Sequence, residues 1–348
     1  MNSVSGSKLI YLLYYFLLAM LMLRPFLEVN KLSDLPFWFT QALDVPSRRG
    51  TVEVEKANIV YETWGEPSNP GVILIHGSNA HLEWWRFTAP FLADKLHVLA
   101  LDLSGNGDSD WRERYTGELF AKEVMTAAEA ASMKVNPFIV GHSFGGYVAL
   151  ETCYHFQEKV GGLLLMDFTT APPEEYVEWG KRVEREGVKP GRTLRTYPTK
   201  EAAKERFRLL PDQPGVRQEL LDHMADYAIK EVDGGWTWKF DPALFDYLEM
   251  GIDQRDKYAS LECPSALILG EKSEDGGAFY EAHMSEITNG LLPTVTIPGT
   301  YHHLMFDNPL AVAMTMKLLL LEWHRQANQD QLQSALRQVV LNSGGNYD

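Results

Sequence analysis

The sequence predicts an α/β fold with a doubly wound, mostly parallel sheet. Short apolar runs that are typical of strands buried on both faces alternate with helical patterns along the middle of the chain. Strict alternation of this kind indicates right-handed strand–helix–strand units, which place parallel strands in one sheet. The alternation stops after the fourth apolar run and resumes later, so we expect one insertion that covers the carboxyl ends of the strands.

The predicted elements begin with an antiparallel hairpin, because residues 51–55 and 59–63 alternate between apolar and polar side chains and a short turn separates them. Continuous apolar runs then mark buried strands, and periodic stretches between them mark helices. The strands are expected at residues 72–75, 97–103, 138–142, 162–167, 265–270 and 292–297, and the helices at 83–94, 118–133, 144–156, 278–288 and 309–326.

The domain organisation follows from where this alternation starts, stops and resumes. The stretch between the fourth and fifth apolar runs is charged, helical in pattern and broken by prolines, which is typical of a separate cap. We therefore expect a core of residues 51–171 and 259–326, a helical cap of residues 172–258, a hydrophobic N-terminal segment of residues 1–27, a lead-in of residues 28–50 and a polar C-terminal tail of residues 327–348.

Composition narrows the classes of function. The chain has 348 residues, of which 45% are hydrophobic, so it can bury a large core. Its formal net charge of -15 argues against a nucleic-acid partner, which needs a concentrated basic surface. The cysteines, Cys153 and Cys263, imply no disulfide framework. No dinucleotide fingerprint or phosphate-binding loop is found, so no cofactor is expected, and the oligomeric state is left open.

The N-terminus contains an unbroken apolar run at residues 9–23, with Lys8 before it and Arg24-Pro25 after it. The run is short for a membrane-spanning helix, which needs about 17 to 25 residues. Since no small-x-small cleavage site follows, an uncleaved membrane anchor is favoured over a cleaved signal peptide. The other alternative is an extension outside the functional fold. The protein is expected to be membrane-associated through this segment, or cytoplasmic if the segment is absent from the mature chain.

The predicted strand at residues 138–142 runs directly into Gly141-His142-Ser143-Phe144-Gly145, after which a helical pattern begins. A G-x-S-x-G pattern at a strand-to-helix turn is typical of a nucleophile elbow, in which the serine occupies a tight turn and small residues let the backbone close. The alternative is a glycine-rich connection that contains a serine by chance.

These features resemble the α/β-hydrolase superfamily, and in particular its capped single-chain serine hydrolases. The resemblance covers residues 53–323 and implies an α/β-hydrolase fold with the cap inserted after the fourth parallel strand. It rests on matched features in the family's order, namely His76-Gly77 after a buried strand, Trp84-Trp85, residues 102–110, the motif at residues 141–145 and residues 299–309.

The resemblance implies a catalytic triad in the chain order serine, acid, histidine. A serine hydroxyl is a weak nucleophile, so a histidine must accept its proton and a carboxylate must hold that histidine in the right tautomer. Ser143 is the expected nucleophile, and the register of residues 299–309 favours His302 as the base over His303. No metal site is expected at this histidine pair, since no Cys, Asp or Glu lies at close ligand spacing.

The acid of the triad has several candidates. Many members of the superfamily carry it three residues after the glycine that ends the strand, and Ser273 occupies that place here. The segment from Gly270 resembles a variant with the acid one residue later, which favours Glu274. Asp275 is its neighbour. Asp167, at the end of the fourth strand, is an alternative location in the superfamily and is also explained as a capping residue.

The resemblance also implies an oxyanion hole made of two backbone N–H groups. Phe144 follows the nucleophile and opens the helix, so it supplies the first. The second normally comes from the residue after His76-Gly77, which is Ser78, with Asn79 next. An oxyanion is therefore expected to bind between these two backbone segments.

The expected activity is hydrolysis of an ester or related acyl bond through an acyl-enzyme on Ser143, in the carboxylesterase or lipase class (EC 3.1), with an apolar small-molecule substrate beneath the cap. The serine argues against dehalogenases and epoxide hydrolases of this fold, which use an aspartate. A carbon–carbon bond hydrolase and a cofactor-free peroxidase are the alternatives within the fold. The alternative that is not an enzyme is a ligand-binding protein that retains the fold.

Overall fold

The computed structural model describes residues 35–133, 136–186, 194–274 and 281–342. The chain divides into two compact units after Asp44. In the first unit the described residues form helix α1 (Phe37–Asp44), and the second unit contains the other described elements. The apolar run at residues 9–23 lies outside the described ranges, and within them no helix is both long and apolar enough to cross a membrane. The membrane anchor therefore stays a prediction.

Eight strands of the second unit form one sheet. They are β1 (Arg48–Val54), β2 (Ala57–Trp64), β3 (Gly71–Ile75), β4 (His97–Leu101), β6 (Phe138–His142), β7 (Gly162–Met166), β11 (Ser265–Gly270) and β12 (Thr294–Ile297). Their order across the sheet is β1-β2-β4-β3-β6-β7-β11-β12. β2 pairs antiparallel with β1 and β4, and every other neighbouring pair is parallel. The predicted α/β class, with a mostly parallel sheet, is confirmed.

The central strands β3, β4, β6 and β7 are buried at every residue, which explains why their sequences are continuous apolar runs. Helices α2 (Gly117–Ala130) and α3 (Phe144–His155) precede and follow β6. α2 begins after Thr116, whose hydroxyl accepts a hydrogen bond from the Leu119 N–H at 3.1 Å and so caps the helix. Because β3, β6, β7 and β11 are parallel neighbours, the residues that follow each of them meet at one edge of the sheet.

The helix predicted at residues 83–94 is wrong. The structure has two short 3₁₀ helices in this stretch, Leu82–Trp85 and Ala89–Phe91. Pro90 supplies the physical reason, because a proline inside an α-helix lacks the N–H for the backbone hydrogen bond and its ring clashes with the carbonyl four residues earlier. The two turns nevertheless bury the predicted Trp84-Trp85 pair.

The insertion lies after β7, the fourth parallel strand, as predicted, but strands accompany its helices. Strands β8 (Ile229–Val232) and β9 (Gly235–Trp238) form an antiparallel hairpin whose two-residue turn contains Gly234 at a φ of 86°. Strand β10 (Leu248–Glu249) pairs in parallel with the core strand β5 (Tyr115–Thr116). An Asp-Gly turn that follows Val232 and precedes Trp236 and Trp238 is a hairpin signal that the helical interpretation missed. The helices of this region are α4 (Pro173–Glu186), α5 (Lys200–Lys204), α6 (Gln218–Tyr227) and α7 (Gln254–Ala259).

The remaining helices are α8 (Glu281–Ile287), α9 (Leu304–Asp307) and α10 (Pro309–Asn342). α10 runs past residue 326, where its end was predicted. Its polar C-terminal part, from residue 327 on, is exposed as far as its side chains are described. The expected polar tail is therefore helical up to Asn342.

Candidate active site

Ser143 lies at the turn between β6 and α3, with a φ of 53° and a ψ of -124°. This conformation is unusual for a residue with a side chain and indicates local backbone strain. A Cβ atom at Gly141 would overlap the carbonyl oxygen of Gly145, and one at Gly145 would overlap the carbonyl oxygen of Ile75. The glycines of the G-x-S-x-G pattern therefore allow the close backbone approach on which the strained turn depends.

His302 lies in the turn that follows β12, and its side chain is buried, with 6% of the residue exposed. Its Nδ1 atom is 2.6 Å from Oδ2 of Asp167. The backbone carbonyl of His302 accepts a hydrogen bond of 2.8 Å from Nε2 of His142, the residue before Ser143. Since a carboxylate only accepts, Nδ1 carries the proton and Nε2 carries the lone pair. The structure thus brings a correctly protonated imidazole next to the elbow.

Asp167 directly follows β7 and is 2% exposed. One carboxylate oxygen, Oδ1, accepts from the Gly270 N–H at 3.1 Å, and the other, Oδ2, accepts from the Ser273 hydroxyl at 2.5 Å and from His302. A buried carboxylate is costly unless such donors replace water. Three donors therefore hold this carboxylate, and through it the His302 ring, in place.

The sequence favoured Glu274 as the acid of the triad, whereas the structure places the carboxylate of Asp167 beside His302. Glu274, the favoured acid, is exposed, and the carboxylate beside His302 belongs to Asp167. The neighbouring Ser273 donates its hydroxyl to Oδ2 of Asp167. Asp275 lies outside the described residues. Ser273 occupies the position that usually carries the acid, and its hydroxyl hydrogen-bonds the carboxylate of Asp167, which follows β7.

Three further histidines surround the elbow and are buried. Burial lowers the pKa of His76 to about 4, and its ring bridges two loops by donating from Nδ1 to the Gly77 carbonyl and accepting the Leu103 N–H at Nε2. Burial, followed by the charge of His302, lowers the pKa of His303 to about 3 and that of His142 well below its usual value. These three rings are consequently neutral near pH 7.

The predicted oxyanion-hole segments lie together. A Cβ atom at Gly77 would be 3.3 Å from the Cβ of Ser143, so the loop after β3 lies directly against the elbow. Ser78 follows in this loop and is exposed. Phe144 is the first residue of α3, where backbone N–H groups have no acceptor within the helix. The loop after β3 and the first turn of α3 therefore both adjoin Ser143, and the oxyanion hole stays a prediction.

A pocket of about 420 Å³ lies between the loop after β3 and the insertion that follows β7. Its described lining combines apolar and aromatic side chains with arginines and contains no acidic residue. A ligand in this pocket would meet the backbone segment that contains Ser78. The lining residues are Ser78, Asn79, Trp84, Leu194, Arg195, Tyr197, Arg206, Phe207, Arg208, Leu210, Ala228, Trp238 and Phe240.

Gln213, in the insertion between β7 and β11, contacts the residues around His302, and the sequence analysis did not predict this. Its Oε1 accepts the His303 N–H at 2.8 Å, and its Nε2 donates to Oδ1 of Asp307 at 2.9 Å. The other oxygen of Asp307 accepts the Tyr301 N–H at 2.7 Å. The residues on both sides of His302 are therefore held by one network. Nothing in the local sequence of Gln213 indicates this contact, because its partners are about 90 residues away.

The comparisons with known proteins agree with this architecture. A serine hydrolase-like protein of Danio rerio is 24% identical over 286 residues, which are 72% of this chain and 82% of that protein. The esterase Rv0045c of Mycobacterium tuberculosis is 26% identical over 215 residues, 60% of this chain and 68% of that protein. Several other curated relatives match over less than half of their own length.

Among solved structures, the thioesterase domain from the curacin biosynthetic pathway has a TM-score of 0.64 at 21% identity, and the match covers 79% of this chain and 99% of that domain. At this identity the likeness concerns the fold. The model of the alpha/beta hydrolase family matches residues 72–315, more than half of the chain. This chain is therefore a hydrolase that belongs to the alpha/beta hydrolase family.

Proposed function

We propose that this hydrolase cleaves an ester or related acyl bond through an acyl-enzyme on Ser143. The observation that carries the proposal is the buried hydrogen bond of 2.6 Å between His302 Nδ1 and Asp167, which fixes the imidazole tautomer next to a strained elbow serine. Esterase and serine hydrolase-like relatives support the same reaction class.

In the proposed acylation step, the Ser143 oxygen attacks the acyl carbon while His302 Nε2 accepts the hydroxyl proton. Asp167 holds the Nδ1 proton and stabilises the imidazolium that forms. The backbone N–H groups of Ser78 and Phe144 bind the oxyanion, and His302 then donates its proton to the leaving group. In the second step His302 takes a proton from water, the hydroxide attacks the acyl-enzyme, and the proton returns to Ser143.

The surroundings support this division of roles. His142 and His303 are held neutral by burial, so they add no second positive charge beside the imidazolium. Gln213 and Asp307 fix the backbone on both sides of His302. Preorganisation of this kind is what lets a triad act without rearranging in the transition state.

A fluorophosphonate probe tests the proposal directly. We expect stoichiometric labelling of the folded wild-type protein and none of Ser143→Ala, because the probe reacts only with an activated serine. Intact mass and peptide mapping measure the label. Ser109→Ala is a matched control, since the Ser109 hydroxyl is buried and hydrogen-bonded to the Asp102 carbonyl. Absence of labelling in a folded wild-type protein would contradict the proposal and favour a ligand-binding protein.

The pocket beneath the cap suggests a substrate class within this activity. Its described lining combines apolar and aromatic side chains with Arg195, Arg206 and Arg208. The guanidinium of Arg195 lies 5.4 Å from the ring centroid of Tyr197, and Arg208 donates to backbone carbonyls. In a chain with a net charge of -15, a pocket lined by arginines favours an acyl substrate that carries an anionic group away from the scissile bond.

Paired esters measure this preference. We compare two p-nitrophenyl esters of one dicarboxylic acid, in which the second carboxyl group is either a free carboxylate or a neutral methyl ester. We expect the compound with the free carboxylate to have the higher kcat/KM for release of p-nitrophenol. Arg195→Gln combined with Arg206→Gln should lower the ratio about tenfold, because each exposed charge pair contributes up to about 1 kcal/mol. Arg255→Gln, which removes an arginine from α7 outside the pocket lining, should leave it unchanged. If the ratio of kcat/KM for the anionic ester to that for the neutral ester is the same in wild type and in the arginine variants, the substrate does not need an anionic group.

A further inference from the structure

A short segment of the insertion after β7 contributes to both the pocket and the loop that carries His302. Gln213 lies in this segment, is 8% exposed, and hydrogen-bonds the backbone beside His302. Because Pro211 and Asp212 alone separate Leu210 from Gln213, a shift of the pocket wall would move this loop contact with it. The pocket-lining residues of the segment are Arg206, Phe207, Arg208 and Leu210.

Gln213 uses both ends of its side-chain amide. Its Oε1 atom accepts the His303 N–H at 2.8 Å, and its Nε2 atom donates to Oδ1 of Asp307 at 2.9 Å. The other carboxylate oxygen of Asp307 accepts the Tyr301 N–H at 2.7 Å. Since a carboxylate only accepts and an amide has one accepting and one donating end, each position in this network requires its own chemical group. The network connects the insertion to the residues on both sides of His302.

The ring of His303 provides a second connection to the same segment. It makes hydrogen bonds with the backbone of Leu210 and Pro211, and the residue is 2% exposed. Asp167, which follows β7, binds Nδ1 of His302 at 2.6 Å. The His302 imidazole is therefore held by the core through its ring and by the insertion through the neighbouring backbone.

The loop of His302 needs such contacts more than the other two triad positions do. Ser143 and Asp167 follow β6 and β7, which are central strands buried at every residue. His302 follows β12, which lies at the edge of the sheet and is fully buried at its last residue, Ile297. A misplacement of about 1 Å in a reacting group lowers a rate by about 10²-fold. The position of His302 is thus the one on which the insertion has the largest effect.

We propose that Gln213 is a positioning residue, through which an acyl group that fills the pocket holds His302 toward Ser143 and so raises kcat. The inference rests on the proposed function, in which His302 is the base. Contacts of the acyl group with Phe207 and Leu210 restrict the segment, and the hydrogen bonds of Gln213 pass this restriction to the loop. Binding energy from a remote part of the substrate is then used to orient the reacting groups, and it increases kcat as well as affinity.

Two p-nitrophenyl esters, the acetate and the octanoate, measure this effect on the full chain. Because Ser78 lines the pocket and its loop adjoins Ser143, the longer acyl group extends from the serine into the pocket. We expect kcat for the octanoate to exceed kcat for the acetate by about tenfold in wild type. This ratio does not depend on the amount of active protein. A purely structural defect lowers both values in proportion and leaves the ratio unchanged.

The hydrogen bonds of Gln213 allow a test by exchange of donor and acceptor. Gln213→Glu turns the bond to Asp307 into a contact between two carboxylates, and Asp307→Asn places a donor against Nε2 of Gln213 or against the Tyr301 N–H. In the double variant the introduced asparagine donates to the introduced carboxylate, which still accepts the His303 N–H. The three bonds and the single negative charge are then restored.

Each single variant should lower the octanoate-to-acetate ratio of kcat from about ten to about one, and the double variant should restore it. KM for the octanoate should change less than about twofold, because the pocket lining is intact. Gln213→Met, which keeps the length of the side chain without its hydrogen bonds, is the second variant if Gln213→Glu does not fold. Gln218→Glu is the matched control and should leave the ratio unchanged, since Gln218 is exposed and contacts Asp222 on its own helix.

A ratio near one in wild type, or an unchanged ratio in folded Gln213→Glu and Gln213→Met, overturns the inference while the proposed function stands. A double variant whose ratio stays as low as that of the single variants overturns the role of the hydrogen bonds between Gln213 and Asp307. If folded wild type hydrolyses neither ester and the fluorophosphonate probe does not label Ser143, the proposed function fails and this inference fails with it.

Discussion

Replacing Asp167 with asparagine is expected to lower kcat about 10⁴-fold with little change in KM. The asparagine amide can donate a hydrogen to Nδ1 of His302, which would favour the tautomer with the proton on Nε2, where the basic lone pair is needed. The imidazolium of the transition state would also lose its buried counter-charge. The measurement is steady-state hydrolysis of a p-nitrophenyl ester, with circular dichroism to verify the fold.

The matched control is Glu274→Gln, which should change kcat less than about twofold because Glu274 is exposed and Asp167 already occupies Nδ1 of His302. Asp275→Asn is measured in parallel, since this acid was nominated from the sequence and lies outside the described residues. A large loss in either control, together with an active Asp167→Asn protein, would assign the acid to the loop after β11.

Replacing Ser143 is expected to have opposite effects on activity and stability. Ser143→Ala should lower kcat by about 10⁶-fold, because no acyl-enzyme can form and only binding and oxyanion stabilisation remain. Ser143→Gly should be equally inactive but more stable than wild type by about 1 kcal/mol. Relief of a strained φ of 53° is worth about 1 to 3 kcal/mol, from which the greater freedom of glycine in the unfolded chain is subtracted.

Urea unfolding of the two variants and wild type separates these effects. The comparison of Ser143→Gly with Ser143→Ala is the informative one, since both lack the hydroxyl and differ mainly in how easily they adopt a positive φ. A glycine variant that is less stable than the alanine variant would show that the elbow is not strained. Substantial ester hydrolysis by both would exclude Ser143 as the nucleophile.

The sheet and the elbow could be predicted because their causes are local. Strands buried on both faces require continuous apolar runs, and the tight turn at Ser143 excludes side chains at Gly141 and Gly145. Where a local cause was overlooked, the prediction failed. Pro90 should have excluded an uninterrupted helix, and the Asp233-Gly234 turn should have indicated a hairpin in the cap.

The identity of the carboxylate beside His302 could not be read in the same way. Ser273, Glu274 and Asp275 follow one another in the sequence, whereas Asp167 reaches His302 from a different strand. Only the three-dimensional order of the sheet, in which β7 lies next to β11, shows that an acid from the first can stand in for one after the second. The same limitation hid the contact of Gln213 with the loop around His302.

The pairing of β10 with β5 affects how the inserted region could be exchanged between related hydrolases in a chimeric protein. The cap is also joined to the loop before β5, because the Asp241 N–H donates to the Gly105 carbonyl at 2.7 Å and the Asp241 carboxylate accepts from the Tyr115 hydroxyl at 2.6 Å. A cap transplanted alone would leave these buried groups without partners in its new host. The transferable module is therefore discontinuous in sequence, consisting of residues 105–116 together with residues 172–258, and a chimera that respects it keeps both halves of each hydrogen bond.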